Sequence, residues 1–216
     1  HLLPFVRPAN VRKYYPDLKI DNYQDAIKIV LQHSNINYKE RNVLLAHQFI
    51  TGSLTCDSEE MAIGGLDNID ANVFDMFDYV ALGHIHKAQK VLRETLRYSG
   101  SIMKYSFSEI NHVKSVCVID FKDKGNIDID LIPLKFLRDV REVKGSFIEL
   151  MSMDYSEDYL RVILTDEVVD PDARVSLSTV FPNMMSFVIQ NSKTSEEVYI
   201  ENVKSIDDKT ISELFS

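Results

Sequence analysis

Cysteine, positive charge and long apolar runs are all scarce in this chain of 216 residues. Its two cysteines, Cys56 and Cys117, lie far apart and lack the spacing of a metal-binding pair. Cys117 falls inside the alternating run Val116-Cys117-Val118-Ile119, where a thiol serves as a small core residue. Such cysteines fit reduced thiols in a cytosolic protein, so a cytoplasmic location is the expectation. No apolar run approaches the roughly 20 residues of a membrane span, and no signal peptide opens the chain. Lys+Arg number 24 against 33 Asp+Glu, a formal net charge of −9. That balance repels phosphate at long range and argues mildly against a non-specific nucleic-acid binder, unless bound cations supply local positive charge. Internal repeats and low-complexity segments are missing as well.

What is present is enough for a core: 45% of the residues are hydrophobic, and the length suits one or two domains. The most informative feature is Gly83-His84-Ile85-His86, at the end of the apolar run Tyr79-Val80-Ala81-Leu82. A second apolar run, Val43-Leu44-Leu45-Ala46, also ends on a histidine, His47. In sheets flanked by helices, ligand sites lie just beyond the strand ends. Two strands that each deliver an imidazole at their exit point to a metal site, for neutral imidazole suits Mn, Fe, Zn or Ni. Gly83 is expected to let the backbone turn sharply after its strand. A lone strand-end histidine is more often an ordinary surface residue; the Gly-His-x-His run with a second strand-end histidine reverses that balance. His1, His33 and His112 lack such placement and receive no role. Basic residues near the motif, Lys87, Lys90, Arg93, Arg97 and Lys104, read as solvated charges, with phosphate contact for one or two at most.

The rest of the chain organises around these strands. Asp21 reads as a helix N-cap with Gln24 three residues on, and Tyr23, Ala26, Ile27, Val30 and Leu31 repeat at helical spacing. That helix should cover one sheet face, while the two apolar runs read as central strands covered on both sides. Thr51 to Asp70 is polar, carries Gly64-Gly65 and reads as a long, functional loop. Lys90 to Tyr98 suggests a hairpin turning near Arg93-Glu94. Val116–Phe121 and Ile127–Ile132 suggest a clearer one across residues 122–126, with Asp128 and Asp130 on a solvated face rather than in a catalytic dyad. The domain change is placed in Val140 to Gly145, dividing the chain into 1–143 and 144–216. In the second part, a strand Tyr159–Leu164, a helix entered by Asp170 with Pro171 at its first position, and a strand Met184–Gln190 make a β-α-β module. The fold class is therefore α/β followed by a small α+β domain.

Five segments recur in a telling order: Leu3 to Arg12, Glu40 to Phe49, Gly64 to Asp67, Phe77 to His86 and Tyr98 to Glu109. Their order and intervals resemble the SbcD-type DNA nucleases, a branch of the calcineurin-like metallophosphoesterases. The resemblance runs through nearly the whole chain. It implies the second part of a calcineurin-like two-sheet sandwich, followed by a small capping domain that sits over the site and helps select DNA ends. The family's site also uses an Asp-x-His, a bridging Asp and a Gly-Asn-His-Asp segment, none of which occurs here. The chain therefore reads as an internal fragment that also lacks the family's C-terminal helices. The family's catalytic acid belongs to the missing Gly-Asn-His-Asp segment, so no catalytic residue is assigned.

By the same resemblance, His47 and His84 help hold one of two divalent ions, manganese, and His86 reaches the other. Gln48, Ser99 and Ser101 are weaker candidates for supporting the ligands or meeting phosphate. The implied activity is metal-dependent hydrolysis of DNA phosphodiesters at ends or hairpins, in DNA repair and recombination. The implied partners are DNA and an SbcC-type coiled-coil ATPase. Half a sandwich exposes apolar sheet and an unpaired edge, so a homodimer is expected, and the isolated chain is expected to be inactive. Two alternatives remain: another calcineurin-like phosphoesterase acting on small phosphodiesters or phosphoproteins, and a non-catalytic structural or interaction piece.

Overall fold

A computed structural model describes residues 1–56 and 68–192, together with the backbone of the short strand Val198–Tyr199. The chain divides into two units, His1–Phe136 and Leu137–Ser216.

In the first unit, strands Leu2–Leu3 (β1), Val43–His47 (β2), Tyr79–Gly83 (β3), Gln89–Val91 (β4) and Arg93–Tyr98 (β5) form one sheet in the order β1-β2-β3-β5-β4. β1, β2, β3 and β5 pair in parallel, and β4 lies antiparallel to β5 at one edge. Helices Pro8–Tyr14 (α1) and Tyr23–Gln32 (α2) precede β2. The N-cap of α2 is Asn22, whose side chain accepts the Asp25 backbone N–H at 2.8 Å. The helix is thus capped one residue later than expected; the Asp21 N–H instead donates to the Asp25 carboxylate. Ala26, Ile27 and Leu31 of α2 join Leu44, Ala46, Val80, Leu82 and Leu96 of the sheet in one core. The expected cover on both faces is only partial on the second: Tyr79 is buried there against Cys117 and Phe121, whereas Leu45 remains 49% exposed and Leu2 81%. Strand alternation explains this, because Leu44 and Ala46 face the helices while Leu45 and His47 face away.

The β4–β5 turn falls on Leu92 (φ 63), just before the expected Arg93-Glu94. Ile50 pairs with Ile69 in a single parallel bridge, which closes the ends of the expected long loop. Its Gly64-Gly65 centre lies outside the described residues. Ser115–Phe121 (β6) and Ile127–Pro133 (β7) form the expected hairpin, in register from Ser115↔Pro133 to Phe121↔Ile127. Its turn is bound to the start of β3, where Lys124 donates to the Asp78 carboxylate at 2.7 Å. The unit is mixed α/β with more than one sheet.

The second unit runs Val140–Gly145 (β8), Phe147–Met151 (α3), Tyr159–Leu164 (β9), Ala173–Leu177 (α4), Met184–Ile189 (β10) and Val198–Tyr199 (β11). β8, β9 and β10 are parallel, and β11 closes the order β11-β10-β9-β8 antiparallel to β10. The boundary expected at 143/144 therefore moves to 136/137. All six residues of β8 pair with β9, which makes Val140–Gly145 a strand of the second sheet rather than a connection. α3 has a capping box: Ser146 and Glu149 satisfy each other's backbone N–H groups. α4 begins at Ala173, not Pro171, because Asp170 accepts the Asp172 N–H and draws that stretch into a turn. Val143, Leu160, Val162, Leu164 and Phe187 pack with Leu150, Ala173, Leu177 and Phe181 in this unit's core. No helix among the described residues is long and apolar enough to cross a membrane.

Candidate metal centre

His47 and Gly83 are paired residues at the C-terminal ends of neighbouring parallel strands. His84, the next residue, carries its ring to 5.3 Å from that of His47 (centroid to centroid), edge to face at 83°. Phe5 stacks on His84 at 6.1 Å and Phe49 meets it edge-on at 6.3 Å, so apolar rings brace the pair. The sharp turn expected of Gly83 is made by His84 instead, at φ 102; Gly83 has no left-handed backbone. Glycine is required at 83 for another reason: a Cβ there would lie 2.7 Å from His47 Nδ1. His47, Gly83 and Ser99 line a concavity of about 440 Å³ with Leu45, Ala81 and Leu2 on the open face of the sheet.

His86 belongs to a different set of contacts. Its Nδ1 lies 3.1 Å from Glu109 Oε1, and its ring packs 5.5 Å from Tyr105. Glu109 is fully buried beside the fully buried Lys114, whose ammonium reaches Glu109 Oε2 at 2.5 Å, Ser101 Oγ at 2.7 Å and the His86 carbonyl at 2.9 Å. All three Lys114 protons thus have acceptors, which is what a buried ammonium needs. Gly100 (φ 78) permits this closure, since a Cβ at 100 would stand 2.9 Å from the His86 carbonyl and 2.7 Å from the Ala88 nitrogen. Cys56, His86 and Glu109 bring three ligand-type atoms within 4.8 Å of one another. Glu109, however, already faces an ammonium, whose charge opposes a cation at the same oxygen.

The structure therefore brings His47 and His84 together and ties His86 to Glu109. Gln48 is fully buried and donates to the Pro4 carbonyl at 3.1 Å, bracing the segment after β1. Ser99 Oγ donates to the Leu82 carbonyl at 3.3 Å, and Ser101 accepts from Lys114 while donating to the Met103 carbonyl. Lys90, Arg93 and Arg97 are paired with Glu94, Asp75 and Glu94 respectively. His112, to which its sequence position gave no role, stands 3.9 Å from Glu109. Sequence reasoning missed Glu109 and Lys114 as site residues. Glu109 closes the Tyr98-to-Glu109 segment, but nothing in its spacing marks it as buried, and a buried lysine is rarely expected.

Residues 137–216 match the family model described as Type 5 capsule protein repressor C-terminal domain, SbcD_C, so the second unit is an SbcD-type C-terminal domain. The likeness extends over the first unit. The chain is 32% identical over 220 residues, 99% of its length, to the D subunit of the nuclease SbcCD of Staphylococcus epidermidis (strain ATCC 12228). It is 28% identical over 224 residues, its full length, to the D subunit of the same nuclease of Staphylococcus saprophyticus. The chain is thus similar along its whole length to SbcCD D subunits, and it spans 59% of the length of each of these two relatives.

Proposed function

We propose that this chain supplies part of the metal centre of an SbcD-type nuclease subunit. His47 and His84 would hold one divalent cation and His86 would contribute to a second. The observation that carries the reading is the meeting of the His47 and His84 rings at adjacent parallel strand ends, in a chain aligned from end to end with nuclease D subunits. Imidazole donors suit Zn²⁺, Fe²⁺ or Ni²⁺, and Mn²⁺, the ion proposed here, would take its other ligands as carboxylate and water oxygens from the rest of the site. Cations held by these histidines would supply activation of water and stabilisation of charge on a phosphate. The residues of this chain would orient that centre: Phe5 and Phe49 hold His84, and Gly83 makes room for His47.

Three imidazoles do not neutralise two cations, so carboxylates from elsewhere in the full-length protein complete the site in this reading. The open sheet face beside His47 is where the remainder of a calcineurin-like sandwich would pack. The substrate is DNA, cut at ends or hairpins during repair and recombination in the cytoplasm, with the second unit helping to select ends. The partner is an SbcC-type ATPase, as the SbcCD name of the relatives suggests, and the protein works as a homodimer, which light scattering would test. Full-length protein assayed on linear DNA and on a small phosphodiester tests the reading. Mn²⁺-dependent DNA cleavage that far exceeds hydrolysis of the small ester supports it; the reverse preference would point to another phosphoesterase.

A further inference from the structure

We propose that Glu109, held by the buried Lys114, is a positioning residue that selects which nitrogen of His86 is offered to a cation. The proposal rests on the metal reading of His86 and adds residues that no sequence motif assigned. A carboxylate beside a buried ammonium can only accept hydrogen bonds. The 3.1 Å contact between Glu109 Oε1 and His86 Nδ1 therefore requires the proton on Nδ1. In the neutral ring, Nε2 then carries the lone pair. Histidines that bind metals are commonly oriented in this way by a carboxylate on the other nitrogen.

The geometry makes the device rigid. Glu109 and Lys114 are both fully buried, and Lys114 gathers Glu109 Oε2, Ser101 Oγ and the His86 carbonyl. The ammonium thus joins the histidine loop, the serine turn, the 3-10 turn Phe107–Glu109 and the entry to β6. A second bond fixes the loop, as the Ser101 N–H donates to the same His86 carbonyl at 3.1 Å. Both the ring and the backbone of His86 are therefore held by one network. His112, 3.9 Å from Glu109 Oε2, is the further titratable group beside it among the described residues, with Cys56 near the His86 ring.

The test uses full-length protein labelled with ¹⁵N-histidine, His86 being assigned by the signal lost in His86→Ala. In the metal-free wild type, the ring should show a protonated Nδ1 and a bare Nε2; a protonated Nε2 would overturn the proposal. Glu109→Leu with Lys114→Met removes both charges together, so no unpaired ion stays buried. This variant should show mixed tautomers and bind Mn²⁺ about 10–100-fold more weakly by calorimetry. If the Leu/Met pair kept both the wild-type tautomer and wild-type affinity, Glu109 would have no positioning role. Should that pair fail to fold, the wild-type tautomer still decides. A different failure, unchanged Mn²⁺ affinity in His86→Ala, would overturn the metal reading of His86 while leaving Glu109's hold on the ring intact.

Discussion

His84 holds a backbone angle that few non-glycine residues adopt, φ 102, at the point where two strand ends deliver imidazoles. Strain of that kind costs about 1–3 kcal/mol and is found where surrounding structure and function sustain it. His84→Gly removes both the strain and the ring. It is expected to keep the melting temperature within a few degrees of wild type while abolishing Mn²⁺-dependent cleavage by the full-length protein. Leu82→Ala, in the buried strand just before it and 1% exposed, should do the reverse, losing roughly 2–5 kcal/mol of stability with the ligands in place. Denaturant melts and cleavage assays on the same preparations separate the two. Gly83→Ala is a subtler probe. Its Cβ would stand 2.7 Å from His47 Nδ1, so the ring must swing away, and Mn²⁺ affinity should fall without the loss of any donor atom. Unchanged calorimetric affinity would show that His47 needs no fixed position. The need for glycine at 83 could not be read from the sequence, because it arises from a neighbouring strand.

At the scale of elements, the legible parts are those with strong local patterns. The apolar runs of β2 and β3, the helical spacing of α2 and the alternating arms of β6–β7 all form where expected. β8 carries no such signal, because Arg141, Glu142 and Lys144 interrupt it, and α3 carries only the Ser146–Glu149 capping pair ahead of a helix of five residues. Elements of this kind form through pairing and packing rather than local pattern. The Glu109–Lys114 network is harder still to foresee, as a buried polar cluster has no periodicity. A measurable consequence of the hairpin's attachment concerns Asp78. Burial would raise its pKa, but hydrogen bonds from Lys124 and the Asn42 N–H outweigh that and hold it below the ordinary carboxylate value. A carboxyl with a lowered folded-state pKa stabilises the fold above its unfolded pKa, and that contribution fades as pH falls through the folded value. Asp78→Asn is thus expected to lose about 1–2 kcal/mol at neutral pH, with the difference from wild type shrinking below about pH 4. A pH-independent difference in urea melts would remove Asp78 as an ionic anchor.

For the whole molecule, the net charge of −9 and the two-unit organisation set the terms. If the proposed function holds, bound cations would offset this negative charge locally where phosphate approaches, so DNA affinity is expected to rise with Mn²⁺ in a binding titration. The 216-residue chain alone is expected to show little or no nuclease activity even in millimolar Mn²⁺. His47, His84 and His86 bring no negative charge of their own, and Glu109 beside His86 is already held by Lys114, so two cations would stay uncompensated. Turnover like that of the full-length protein, in a preparation free of other nucleases, would contradict this. The standing of these histidines as ligands is tested most directly by anomalous scattering at the manganese edge. Crystals of the full-length protein soaked in Mn²⁺ should show one peak bonded to the rings of His47 and His84 and a second bonded to His86 Nε2. Manganese peaks elsewhere, with none on these three side chains, would contradict the assignment.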